Sequence, residues 1–268
     1  MSQRKIISHA VILQGKEPLI TELHRRCQIV AISLDQFKNI KKESIDLVSK
    51  FIKGNLAEQR KYIYENLDTL LTAICEIIEK INHDRNVMTI ILTILDGILC
   101  DDKKSIKALA EIIEDQSEQS NLLANLKKII NMTDHDQINY DAAIHINSIM
   151  VSSLPSKNQK LQIESFEFIL NDIKFSFKVI LRANISKAQS KYTGIAISSS
   201  LAYLIRNQIL LKQFLSNDGI HILISLIKSH SNELQTIYNC LILLWILSFE
   251  PNCVVCFENP EVFLHIYL

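Results

Sequence analysis

The sequence has very little glycine and proline: 5 Gly and 4 Pro occur in 268 residues. β-Sandwiches, barrels and doubly wound sheets need many turn residues with special backbone angles, so this scarcity argues against those folds. Long helices joined by short polar corners need far fewer such residues. The composition therefore favours an all-α fold.

The chain also has no excess of charge of either sign. Its 29 Lys and Arg residues are balanced by 29 Asp and Glu residues, which gives a formal net charge of zero. A surface that binds nucleic acid takes its affinity from excess Lys and Arg. We therefore expect no nucleic acid among the partners.

Long hydrophobic runs are missing as well. The longest lies around Leu241–Ile246, far short of the roughly 20 residues that span a bilayer. The N-terminal segment reaches Gln14 and Lys16 before a signal-peptide core could form. These features predict a cytosolic protein that does not insert into a membrane.

The sequence contains no motif of a phosphate-binding loop. The glycines are too far apart for a GxGxxG or GxxxxGK[ST] motif; they are Gly15, Gly54, Gly97, Gly194 and Gly219. We therefore predict no nucleotide site and no cofactor. Because no constellation of catalytic residues is evident either, we predict that the chain is not an enzyme.

Two groups of residues have the composition of metal ligands. Cys253 and Cys256 have redox or zinc spacing, but a zinc site needs a second pair of ligands. We interpret these and the other four cysteines as buried thiols. The second group is Asp134, His135, Asp136, Asp141 and His145, which we interpret as a helix start capped by Asp134 or Asp136. No metal site is predicted.

Apolar residues recur at spacings of three and four along most of the chain, which predicts amphipathic helices. The predicted helices cover residues 56–81, 87–99, 106–113, 122–130, 141–151 and 163–181. Asp84 is placed to cap the second of them. The segment Ser152–Pro155 should end the fifth, because proline disfavours a helix at the preceding residue.

A weak internal repeat follows, with an offset of about 42 to 46 residues, in the range of armadillo and HEAT units. It aligns Tyr192, Leu201, Phe214 and Ile220 with Tyr238, Leu247, Phe257 and Val262. Between the helices, the corner Asn217–Gly219 should use a positive φ at Gly219. We therefore predict an armadillo/HEAT-like solenoid, a right-handed superhelix of stacked helical hairpins with one continuous core.

The segment from Leu204 to Pro251 resembles the signature region of the H subunit of the vacuolar-type proton ATPase (V-ATPase). In that pattern a leucine-rich helix ends in Arg, an acidic-Gly corner follows, and a later helix ends in Leu-Trp-x-Leu-x-Phe-x-Pro. The matching residues are Leu204, Arg206, Phe214, Asp218, Gly219, Leu223, Leu234, Gln235, Tyr238, Leu244, Trp245, Leu247, Phe249 and Pro251. Residues 24–42 and 87–102 are similar to earlier parts of the family.

The resemblance implies a non-catalytic regulatory and structural subunit of the peripheral sector of the V-ATPase. Such a subunit bridges the stator stalk to the collar of the membrane sector and controls how ATP hydrolysis is coupled to proton transport. Its expected partners are other V-ATPase subunits, and its expected place is the cytoplasmic surface of the vacuole and other endomembranes. The sequence identifies no partner-binding residues.

The alternative is a generic armadillo or HEAT scaffold that binds a peptide or helix of a protein partner. Importin-type receptors read peptides with repeated Trp residues, each followed four positions later by Asn. Here Trp245 is the only Trp in the chain, and Phe249 stands four positions after it. We therefore predict that Trp245 and Phe249 pack together in the core.

The family continues past this helix into a separate C-terminal helical domain. Here the sequence ends at Leu268, inside an apolar stretch that predicts a core helix without a polar capping repeat. We therefore expect residues 1–268 to be a single armadillo-like N-terminal domain, truncated before the C-terminal domain. Inhibition of ATP hydrolysis, if that missing domain carries it, would be weak or absent.

Overall fold

The computed structural model describes residues 38–81, 84–99, 103–115, 121–132, 137–183 and 193–250. Every regular element in these ranges is a helix, which confirms the predicted all-α fold. The chain divides into two compact units, Met1–Ser153 and Leu154–Leu268. Each unit is described by itself below.

The first unit contains six described helices. They are α1 (Lys42–Lys53), α2 (Leu56–Lys80), α3 (Arg85–Leu99), α4 (Lys103–Asp115), α5 (Asn121–Asn131) and α6 (Gln137–Ser153). The predicted ranges agree with α2 to α6 to within a few residues. As predicted, Asp84 caps α3: its Oδ1 accepts hydrogen bonds from the backbone N–H groups of Asn86 and Val87.

Helices α1 and α2 form a tightly connected hairpin. Asn55 caps α2 by accepting from the N–H groups of Ala57 and Glu58, and the Glu58 side chain accepts from the Asn55 N–H in return. This reciprocal capping box satisfies backbone donors that the first turn of a helix leaves unpaired. Further along, α2 is kinked at Asn66, which has a φ of −135°.

Glu76 ties the start of α1 to α2. Its carboxylate accepts hydrogen bonds from the Ser44 hydroxyl at 2.6 Å, the Lys80 ammonium at 2.6 Å and the Lys41 backbone N–H at 3.3 Å. Burial alone would raise the pKa of Glu76, but these hydrogen bonds and the charge of Lys80 outweigh it and lower the pKa to about 2. The charged carboxylate therefore stabilises the folded state.

We expect Glu76→Gln to lower the free energy of unfolding at pH 7 by about 1–2 kcal/mol, since the variant loses charge-assisted hydrogen bonds. The folded-state pKa lies below the ordinary value of 4.5. The stabilisation is thus complete above pH 4.5 and is lost as the pH falls toward 2. Urea unfolding at several pH values should show the gap between variant and parent closing in that window.

Glu65→Gln is the matched control, because Glu65 is an exposed residue of the same helix that pairs loosely with Lys61 at 3.8 Å. An exposed pair of this kind contributes at most about 0.5 kcal/mol. An equal loss in both variants, or a Glu76→Gln loss independent of pH, would contradict the role given to Glu76.

The core of the first unit is built around α6. Residues 139–151 of this helix are all buried, so α6 has no solvent-facing side over that length. It packs against α3, α4 and α5. Most of α3 is buried too, including the acidic residue Asp96.

The second unit begins with a short 3₁₀ turn, Ser156–Asn158, and contains five described helices. They are α7 (Gln159–Ala183), α8 (Gly194–Leu204), α9 (Gln208–Ser216), α10 (Gly219–Ser229) and α11 (Leu234–Leu247). Helix α11 packs on both α8 and α10, and α9 packs on α7 and α10. Thr193 and Asn207 cap α8 and α9 with their side-chain oxygens.

None of the helices in the described ranges combines the length and apolar character that a bilayer-crossing segment requires.

Candidate functional site

The described signature residues lie in α8 to α11 and in the turns beside these helices, and the structure divides the apolar ones into a buried group and an exposed group. The buried group fills the space between the helices: Leu204, Phe214, Leu223, Leu244 and Leu247 are each at most 6% exposed. These side chains hold α8, α9, α10 and α11 together. Their role is in packing.

The corner before α10 differs from its prediction in one respect. The positive φ belongs to Asp218, at 59°, rather than to Gly219. Asp tolerates this left-handed conformation better than most residues. Gly219 is needed for another reason: a Cβ at this position would lie 2.4 Å from carbons of the Phe214 ring. The glycine therefore allows Phe214 to pack against the start of α10.

Polar signature residues make local contacts. The Arg206 guanidinium lies over the Tyr203 ring, 4.7 Å from its centroid. Gln235 donates to the side chain of Asn239 at 2.9 Å, and Asn239 donates to the Ser198 hydroxyl at 3.0 Å. The last bond joins α11 to α8, so these residues fix how the two helices pack.

The exposed group lies along one side of α11 and just beyond its end. Together with the neighbouring Leu241, which is not a signature residue, we call it the α11 stripe: Leu234, Tyr238, Leu241, Trp245 and Phe249. All five are exposed, with Leu234 at 83%, Trp245 at 63% and Phe249 at 71%. Their spacing of four, three, four and four residues places them on one helix face. Exposed apolar patches of this kind mark interaction surfaces.

The prediction that Trp245 and Phe249 belong to the core is therefore wrong. The two rings do contact each other, edge to face, with centroids 5.4 Å apart. The side of α11 that faces the core carries Cys240, Leu243, Leu244 and Leu247 instead. Because α11 is apolar on nearly every side, its periodicity does not reveal which face is covered.

The remaining predicted positions are only partly described. Pro251, Cys253 and Cys256 lie outside the described residues, as do Asp134, His135 and Asp136. Within the described ranges, no group of three or more His, Cys, Asp and Glu side chains is placed to hold a metal ion.

The two described cysteines agree with the buried-thiol interpretation. Burial raises the pKa of Cys75 to about 12, with a smaller contribution from the charge of Glu79. Burial also raises the pKa of Cys240 to about 12. A thiol with so high a pKa carries almost no nucleophilic thiolate at neutral pH.

His145 has a partner that sequence reasoning missed. Its Nδ1 lies 2.5 Å from Oδ1 of Asp96, and both side chains are fully buried. The pair links α6 to α3 inside the first unit. The sequence grouped His145 with the nearby acidic residues as a candidate ligand set, whereas the contact is made across 49 positions of the chain.

Comparison with known proteins gives one positive result. The chain matches the family model for the H subunit of the V-ATPase over residues 24–267. This range takes in all three segments on which the sequence resemblance rests, and it supports the armadillo-like helical solenoid as the fold class. Comparison with the curated proteins and with the solved structures gave no match.

Proposed function

We propose that this chain, which belongs to the V-ATPase H-subunit family, is a non-catalytic regulatory and structural component of the peripheral sector of the pump. In this role it bridges the stator to the membrane sector and controls the coupling of ATP hydrolysis to proton transport. It binds no nucleotide itself. The family match carries the proposal, because it extends over nearly the whole chain.

The match includes parts of both compact units, and this supports treating residues 1–268 as one family domain. The function needs a stiff element, since a stator must resist torque while the rotor turns. Helices that stack through buried leucines and interhelical hydrogen bonds, as α8 and α11 do, supply such stiffness.

The proposed partners are the stator stalk, the catalytic sector and the collar of the membrane sector. The chain would then lie at the cytoplasmic surface of the vacuole or of other endomembranes, held there by protein contacts. Control of coupling would require only that the chain bind one rotational state of the pump more tightly than another.

Capture of the tagged chain from cell lysate, under conditions that keep the pump assembled, tests the proposal. We expect the stator and catalytic subunits to be captured with it. A tagged importin-type armadillo protein is the control for contacts that any helical scaffold would make. Recovery of unrelated proteins without pump subunits would favour a generic armadillo or HEAT scaffold and would overturn the proposal.

A further inference from the structure

A small cleft lies at the closed end of the α1–α2 hairpin and has a volume of about 350 Å³. Pockets that hold small organic molecules begin at about 300 Å³, so the cleft is large enough for one. Its lining comes from the last turn of α1 and the first two turns of α2: Lys50, Phe51, Lys53, Gly54, Glu58, Gln59 and Tyr62.

The apolar part of the cleft is aromatic and is held in place. The rings of Phe51 and Tyr62 pack at a tilt, with their centroids 6.3 Å apart, and Phe51 is buried. The amide of Gln59, a residue only 5% exposed, donates to the Phe51 carbonyl oxygen at 3.2 Å and ties α2 to the end of α1. Because these side chains already have fixed partners, a flat apolar ligand would meet a preformed surface.

The charge of the cleft favours an anion. Two ammonium groups, those of Lys50 and Lys53, line it together with one carboxylate, that of Glu58. This carboxylate already accepts the Asn55 N–H at 2.7 Å. Neither lysine forms an ion pair among the described residues, and the Lys50 ammonium lies over the Tyr62 ring, 5.4 Å from its centroid. Both positive charges are therefore available to a ligand.

The groups that would attract a cation are already occupied. The carbonyl oxygen of Lys50 accepts the Gly54 N–H, and that of Phe51 accepts the same N–H and the Gln59 amide. Burial raises the pKa of the Tyr62 phenol. The phenol is therefore uncharged at neutral pH and does not repel an anion.

We propose that this cleft binds a small organic anion, whose flat aromatic body packs against Tyr62 and whose carboxylate or phosphate lies between Lys50 and Lys53. Both contacts are needed, since an exposed ion pair alone contributes little. The cleft is open to solvent on one side. We therefore expect a dissociation constant on the order of 1 mM for a ligand of about ten non-hydrogen atoms.

Phenyl phosphate, which carries a ring and a phosphate, is the probe, and saturation-transfer NMR with the full chain measures its binding. We expect saturable binding that weakens severalfold at high salt, because the charges are exposed. Lys50→Gln/Lys53→Gln should raise the dissociation constant at least about tenfold. Tyr62→Leu should raise it about fivefold, whereas Tyr62→Phe keeps the ring and should bind like the parent chain.

Lys42→Gln/Lys61→Gln is the matched control, because it removes the same charge from exposed positions of the same two helices outside the cleft. It should change the dissociation constant by less than about twofold. Circular dichroism of each variant establishes that the helices are intact.

Four results would overturn the proposal. The first is the absence of saturable binding by the folded parent chain. The second is an equal weakening in the control variant, which would mean that binding follows net charge and not the cleft. The third is inorganic phosphate binding as tightly as phenyl phosphate, which would exclude the ring contact. The fourth is tighter binding of benzylamine, which would show that the cleft prefers a cation.

Discussion

Replacement of His145 by Ala should lower the free energy of unfolding by about 3–5 kcal/mol. His145 and Asp96 are both fully buried and lie 2.5 Å apart. Removing the imidazole leaves the Asp96 side chain buried without the partner that its Oδ1 contacts. Urea unfolding followed by circular dichroism measures the loss.

The effect is large because the Asp96 carboxyl would stay buried without its hydrogen-bond partner, and a second variant tests that reason. Replacing both members of a buried ion pair by apolar residues of similar size is often neutral or stabilising. We therefore expect Asp96→Leu/His145→Phe to recover most of the stability that His145→Ala loses. If the double variant is less stable than the single one, the cost arises from the lost shape of the imidazole and not from the unpaired Asp96 carboxyl.

His221→Ala provides the control for removing a histidine from a helix. His221 is exposed on α10, and surface substitutions of this kind usually change stability by no more than about 0.5 kcal/mol. A His145→Ala loss as small as that of His221→Ala would mean that the buried pair is not formed in solution.

Gly219→Ala should cost about 1–3 kcal/mol, because the added methyl group overpacks the contact between α9 and α10. The new Cβ would lie 2.4 Å from carbons of the Phe214 ring, which is itself fully buried. Thermal unfolding and urea unfolding of the variant and the parent chain measure this loss of stability.

A double-variant cycle with Phe214→Ala separates this clash from an effect on the backbone. Phe214→Ala alone should cost about 3–5 kcal/mol, and in that background Gly219→Ala should cost almost nothing, since the ring is gone. Gly54→Ala is the control glycine: its Cβ would approach no atom closer than 3.3 Å, and its φ of −67° suits alanine. Equal costs at Gly219 with and without the Phe214 ring would contradict the packing argument.

The helices were predictable because helix formation depends on residues that are close together in the sequence. Low glycine and proline content, together with apolar residues at spacings of three and four, already specifies α2 to α7 to within a few residues. The kink at Asn66 was not predicted, because the apolar pattern continues through it and only the backbone shows the break. The break between α6 and α7 was predicted, since a proline at position 155 gives it a local signal.

The candidate site was predictable only where it depends on residues that are close together in the sequence. The signature residues were located from order and spacing, and the corner Asn217–Gly219 was recognised from its composition. The positive φ was placed one residue too late, because both Asp218 and Gly219 can adopt it and packing against Phe214 decides between their roles. The pairing of His145 with Asp96 depends on the packing of two distant helices, which no local pattern encodes.

Trp245 shows the same limit of local patterns. The sequence predicted that its side chain is buried, whereas the structure leaves it exposed. A leucine-rich helix has an apolar stripe on several faces, and its neighbours decide which of them is buried. In α11 the face with Leu243, Leu244 and Leu247 meets α8 and α10. The face with Trp245 and Phe249 is left exposed and becomes the candidate interaction surface.

Binding to the isolated peripheral sector of the V-ATPase decides whether this chain acts as an accessory component of the pump. The purified chain would be immobilised, and the sector, stripped of its own H subunit, would be passed over it. We predict saturable binding that soluble chain competes away, with no ATP hydrolysis by the chain alone. Absence of binding by folded chain, or hydrolysis of ATP by the chain without the sector, would contradict the proposed role.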